Sequence, residues 1–139
     1  MTRQEYIELL KDDEGFKDRV YLDSKGIPTC GWGHALHVGS RVPMAVCELL
    51  LAEDLKRVDS DYEKLKKMFP EELSPTRQSV LRCMLFQMGL AGVLKFKRFL
   101  TAVRLGDWQG AYSDMLDSQW AKSDSPERAK RLAEMFLRG

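Results

Sequence analysis

A mainly helical α+β fold follows from three features of this sequence. Apolar residues recur at helical spacing over most of the chain, β-forming residues are confined to the stretch Phe16–His34, and helix-capping or helix-breaking residues fall between the segments. The 139 residues suit one ordinary domain, which can be built in two lobes. At 44% hydrophobic and 31% charged, the composition is that of a chain that buries a core, not of a disordered one.

The elements can be justified in order. Thr2 with Glu5 forms a capping box, and Tyr6, Ile7, Leu9 and Leu10 make one apolar face, which predicts a helix over about 3–12. Gly15 suits its end, because glycine accepts the left-handed backbone found past helix C-termini. In VYLDSKGIPTCGWGH, β-formers alternate with a Ser-Lys-Gly turn, a proline and glycines at 31 and 33. Short twisted strands with a tight turn near Ser24–Gly26 follow, a sheet too small to stand without helices. Helical spacing returns at Val46, Leu49, Leu50, Leu55, Val58, Tyr62 and Leu65, giving a long helix over about 43–65. Phe69-Pro70 breaks it. Ser74-Pro75 opens the next helix, through Val80, Leu81, Met84 and Leu85 to Gly89, and three more follow near 93–104, 108–117 and 126–137.

The net charge of +1 conceals an asymmetry, with 11 basic and 15 acidic residues in 1–74 but 11 basic and 6 acidic in 75–139. A basic second half suits an anionic polymer, and a solvated helical surface explains it equally well. The Lys95-x-Lys97-Arg98 cluster and Arg104 belong to that half. Three cysteines, an odd number without metal-like spacing, point to reduced thiols in buried, non-catalytic places and to synthesis in a reducing compartment. No ligand cluster implies a metal or cofactor. The N-terminus has no apolar run long enough for a signal peptide or a membrane span. Nucleic acid is not an expected partner, since no reading-helix motif accompanies the weak charge bias.

Glu14 and Asp23 are the candidate chemical pair. Nine residues apart, they would face opposite ways on one helix or one strand. They converge only where a helix end is followed by a chain reversal, the local structure predicted here. Two carboxyls held so are what acid–base cleavage of a glycosidic bond requires. Glu14 lies at a predicted helix C-terminus behind Asp12 and Asp13. Asp23 lies in a turn rich in backbone donors, and the Thr29 hydroxyl can help it hold a water. Solvated or capping roles fit the same positions, so spacing alone does not decide.

The string DEGF-(5)-YLDSKGIPTCGWGHAL resembles the catalytic segment of the phage lysozymes of glycoside hydrolase family 24, those of T-even phages in particular. Glu14-Gly15, Tyr21 with Asp23, Gly26, Thr29 and Gly31-Trp32-Gly33-His34 follow the family pattern without a gap. FQMG at 86–89, Gly92-Val93, Trp108, Trp120 and SPERAKR at 125–131 continue it in order. The resemblance implies a two-lobed lysozyme-like fold. A β lobe spans about 13–42, an inter-lobe helix about 43–65, and a helical lobe about 66–139 together with the N-terminal helix, with the active site between the lobes. It implies hydrolysis of the β-1,4 bond between N-acetylmuramic acid and N-acetylglucosamine with inversion. Glu14 would be the acid, Asp23 and Thr29 would hold the attacking water, and Arg128 would pair with Glu14. His34 would pair with Asp54 and tie the β lobe to the inter-lobe helix. Phe86, Gln87, Gly33, Ala35 and Asp114 would contact substrate, with plain core a rival reading for Phe86. Trp108 and Trp120 would pack between the C-terminal helices.

The same resemblance implies a monomeric phage endolysin with bacterial peptidoglycan as its partner. It would wait in the host cytoplasm, pass through holin-type lesions without inserting into the membrane itself, and act in the periplasm or on the wall. Departures are the short ALHVGSRV after His34 and, at positions where T-even members present polar groups, Phe99, Asp114 and Gln119. The rivals are a lytic transglycosylase, which needs no water-holding Asp23 and Thr29, and a catalytically silent wall-binding module, which needs no intact acid.

Overall fold

The structure is a computed structural model that describes residues 1–139 throughout. It is mainly helical, with one small antiparallel sheet confined to the N-terminal part. Contacts group the chain into two compact units, Met1–Met44 and Ala45–Gly139.

The first unit holds helix α1 (Arg3–Glu14) and strands β1 (Lys17–Leu22), β2 (Pro28–Gly31) and β3 (His34–Ala35). The capping box forms as expected: Glu5 N–H donates to Thr2 Oγ1 at 3.2 Å, and Thr2 N–H donates to Glu5 Oε2 at 2.6 Å. Gly15 ends α1 at φ 68°, its N–H donating to Lys11 O at 2.9 Å. The order β1-β2-β3 is antiparallel throughout, Tyr21 facing Thr29 and Thr29 facing Ala35. Pairing slips between Lys17 and Tyr21, the kind of irregularity that bends a short strand. Thr29 is the one buried residue of this unit, and Tyr6, Leu9 and Leu10 of α1 stay exposed.

The second unit contains α2 (Met44–Leu65), a 3-10 turn, α3 (Pro75–Leu94), α4 (Lys97–Leu105), α5 (Trp108–Leu116), a π-helical turn at Trp120–Asp124 and α6 (Pro126–Arg138). All the buried hydrophobic side chains of the protein belong to it. The apolar stripe of α2 divides: Val58, Tyr62 and Leu65 enter this core, whereas Val46, Leu49, Leu50 and Leu55 are exposed. Ser74 caps α3, accepting from Arg77 N–H at 3.2 Å. The first helical run of α3 ends at Gly89 as expected, where φ 72° and ψ 171° are not helical, and a second short run follows across the kink to Leu94. α4 therefore begins at Lys97, four residues beyond the expected start.

Trp120 is buried and Trp108 half-buried, and Trp108 meets the Phe136 ring of α6 edge-on at 5.9 Å. The Arg77 guanidinium lies 3.9 Å from the centroid of Trp108 and donates to the carbonyls of Phe136 (2.8 Å) and Leu137 (3.1 Å). It thus satisfies carbonyls that the last turn of α6 leaves open. The cysteines depart from expectation. Cys47 and Cys83 are exposed rather than buried, and Cys30 is half-buried. No single helix is long and apolar enough to cross a membrane.

Candidate active site

Glu14 is the last residue of α1, and its carboxyl rests against Gly33 in the turn between β2 and β3. A Cβ at position 33 would overlap Glu14 Oε2 and stand only 3.0 Å from Cδ. Gly33 also has φ 69°, a backbone conformation that glycine adopts at little cost. The second glycine of Gly-x-Gly is thus required twice over, for its backbone and for the seat it gives the acid. The nearest cation on the same helix turn points elsewhere, Lys11 Nζ lying 3.7 Å from Glu8 Oε1 and 5.0 Å over the Trp32 ring.

Asp23 organises the β1–β2 turn. Its Oδ1 accepts from Lys25 N–H (2.8 Å) and Ile27 N–H (2.9 Å), and its carbonyl accepts from Gly26 N–H (2.9 Å). Both side-chain bonds fall on one oxygen, so Oδ2 keeps its acceptor capacity. Thr29, in β2, donates its hydroxyl proton to Ile27 O at 2.8 Å. That bond fixes the hydroxyl rotor and turns Oγ1 into an acceptor for any further partner. Glu14, Asp23, Thr29 and Gly33 therefore belong to one small unit, with Ala35 opposite Thr29 on β3. His34 is exposed on β3.

The remaining candidates lie on the second unit. Asp54 is exposed on α2, and Arg128 is exposed on the first turn of α6. Gln87 and Asp114 come together in a cavity of about 880 Å³ that also has Phe96, Phe99 and Trp120 in its lining. Phe99 is buried in the core behind this lining, meeting Phe136 edge-on at 5.4 Å. Lys95, Lys97 and Arg98 share this cavity with Asp114, Asp117 and Asp124, so the basic cluster faces carboxylates as well as solvent. Phe86 is 41% exposed, which sets aside the plain-core reading.

A profile of the phage lysozyme family matches residues 11–135. The chain belongs to the phage lysozyme family. Among curated proteins it is 32% identical over 158 residues to the pre-baseplate central spike protein Gp5 of Enterobacteria phage T4, an alignment that covers 95% of this chain and 27% of the spike protein. The chain thus spans about a quarter of that relative's length. Two probable T4-type lysozymes of Dictyostelium discoideum, 1 and 2, are 27% and 26% identical, and each alignment covers 95% of this chain and 93% of the relative.

Two features of this phage lysozyme's candidate site escaped the sequence. Gln87 Oε1 accepts from Trp120 Nε1–H at 3.0 Å, and Gln87 Nε2 donates to Ser125 Oγ at 2.8 Å. These partners lie 33 and 38 residues away, beyond the reach of any local pattern. The fit of Glu14 onto Gly33 was hidden as well, being a contact across 19 positions.

Proposed function

We propose that this phage lysozyme is a muramidase that hydrolyses the β-1,4 bond between N-acetylmuramic acid and N-acetylglucosamine in bacterial peptidoglycan. The observation that carries the reading is the grouping of a seated glutamate with a half-used aspartate and an acceptor threonine in one small unit. Glu14 protonates the glycosidic oxygen as it leaves. A water donates one hydrogen to Asp23 Oδ2 and the other to Thr29 Oγ1, the two acceptors that the turn leaves unused. A lone pair on its oxygen attacks the anomeric carbon from the face opposite the leaving group, and Asp23 takes the displaced proton. The configuration inverts.

Strand β2 supports inversion over retention. Glu14 is held at the turn after this strand and Asp23 at the turn before it. Four extended residues rise on the order of 10 Å. A retaining pair stands only about 5 Å apart, whereas an inverting pair leaves room for water. Gln87 and Asp114 share a cavity of the second unit, and the family resemblance makes both of them substrate contacts.

The biological setting follows from the same reading: a monomeric endolysin is made in the host cytoplasm and released to the wall through holin lesions. The 32% identity to a spike protein favours a second setting, wall cutting as part of a virion. Detection of the chain in purified particles would decide between them. The reaction itself is tested by clearing of purified wall with the native protein and with Glu14→Gln. A loss of about 10²–10⁴ in rate is expected, the worth of general acid help. Equal clearing by both proteins would remove Glu14 from the mechanism.

A further inference from the structure

No Asp or Glu occurs between Glu72 and Asp107, a stretch that holds six Lys and Arg. Two of the six are engaged, Arg77 on the carbonyls of α6 and Arg82 on Asp59. The other four, Lys95, Lys97, Arg98 and Arg104, lie in or just before α4, and all are exposed. None of them forms an ion pair. α4 buries Phe99, Leu100, Ala102 and Val103 and turns Lys97, Thr101, Arg104 and Leu105 outward, on a face made by steps of three and four residues.

Two depressions on this face share Lys97 and Thr101. One, of about 370 Å³, sets Lys97 and Arg98 with Asp107 and Asp114, which offset their charge. The other, of about 220 Å³, is lined by Met68, Leu94, Lys97, Leu100, Thr101 and Arg104, with no carboxylate. The Thr101 hydroxyl donates to Lys97 O at 2.9 Å, so Lys97 and Arg104 supply the free side-chain donors of this cleft. Three apolar side chains beside them stay in water, Leu105 at 72%, Met68 at 43% and Leu94 at 40% exposure.

We propose that this face of α4 rests on a membrane surface rich in anionic phospholipid, where Lys97 and Arg104 bind headgroup phosphates and Met68, Leu94 and Leu105 enter the level of the first acyl carbons. An anionic polymer would match the cations and leave the apolar side chains in water. An apolar protein surface would cover those side chains and bury two unpaired charges. A lipid interface, with phosphate above and hydrocarbon beneath, answers both at once. Nine residues of α4 are far too few to span a bilayer, so the contact is peripheral. The inference stands apart from the muramidase reading and uses none of its residues.

The test is flotation of the protein with vesicles of equal parts phosphatidylglycerol and phosphatidylcholine, against vesicles of phosphatidylcholine alone. The native protein should bind the mixed vesicles only, and added salt should weaken the binding. A cation at an anionic surface is worth about fivefold in affinity, so Lys97→Gln/Arg104→Gln should bind about 25-fold more weakly. Lys56→Gln/Lys66→Gln removes the same net charge from lysines that face Glu53 and Glu63, and should stay within about threefold of native. Met68→Ser/Leu105→Ser should lose about tenfold on the mixed vesicles and keep native affinity for soluble polyphosphate. Absent binding, equal binding to both kinds of vesicle, or equal losses in the two charge variants would overturn the proposal. So would native vesicle binding by Met68→Ser/Leu105→Ser, which would make the face a site for an anionic polymer. Every substituted side chain is exposed, and circular dichroism verifies that each variant is folded. Should a double variant not fold, Arg104→Gln and Leu105→Ser alone enter the same comparison, with a loss of about fivefold expected for Arg104→Gln.

Discussion

Substituting Gly33 by alanine tests the seat of Glu14, the proposed acid, directly. The added methyl would overlap Glu14 Oε2 and lie 3.0 Å from its Cδ. Carbon–carbon contacts settle at about 3.5–4.0 Å, so the carboxyl must withdraw by roughly 1 Å. Glu14 ends a helix and is exposed, so rotation of its side chain relieves the overlap without unfolding the unit. The positive φ of 69° adds a backbone cost of about 1–2 kcal/mol for any residue with a Cβ. For a chain of this length that corresponds to a fall in Tm of roughly 3–6 °C. The catalytic effect should be larger. A reacting group misplaced by about 1 Å can cost on the order of 10²-fold in rate. Initial rates on wall suspensions, with circular dichroism to verify folding, should therefore show kcat down by about 10² and KM changed less than about threefold. Native kcat in folded Gly33→Ala protein would show that the carboxyl does not depend on this seat, and the reasoning would fail.

Asp23 separates turn-making from chemistry. Asn at this position keeps an oxygen for the Lys25 and Ile27 N–H groups, so Asp23→Asn should melt within about 2 °C of the native protein while losing at least about 10² in rate, because the amide takes no proton from water. Asp23→Ala loses both turn bonds as well and should cost about 1–2 kcal/mol more in urea unfolding; equal stability of the two variants would remove Asp23 from the turn. Arg77→Met should lower stability by about 2–3 kcal/mol, since it deletes two charge-assisted bonds to the carbonyls of α6 and the stacking on Trp108. Wall clearing by the folded fraction should be unchanged in Arg77→Met, and a Tm within about 1 °C of native would show that the α6 end closes without it.

What the sequence disclosed divides along the range of the interactions. Thr2 with Glu5, Gly15, Ser74-Pro75 and Gly106 act on backbone groups within a few residues, and the elements that they bound appear where their signals stand. Gly89 was legible as the end of the first helical run of α3, its φ of 72° being one that glycine adopts readily, but the short run that follows to Leu94 had no signal of its own. The π turn at Trp120–Asp124 left no mark, since a wider backbone ring demands no particular side chain. Within the site, Asp23 was legible through its turn chemistry. Glu14 was placed correctly at the helix end, but its meeting with Gly33 is a contact across 19 positions and had no local signature. The family resemblance, not periodicity, singled out Arg128, His34 and Asp54. The helical spacing of α2 was legible along its whole length, yet its buried residues Val58, Tyr62 and Leu65 all lie in the C-terminal half.

The uneven distribution of buried apolar side chains has a bearing on how this lysozyme fails under stress. The helices of the second unit are cemented by its core, whereas the unit bearing Glu14 and Asp23 has no hydrophobic side chain fully out of water. Segments poor in such burial open at lower free energy than the body of a protein. In rising urea, bacteriolysis should therefore vanish while most of the ellipticity survives, and backbone amides of β1 and β2 should trade hydrogen for deuterium long before those of α3 and α6. Loss of function and loss of fold would be two events in this molecule, with the chemistry carried on the part that yields first.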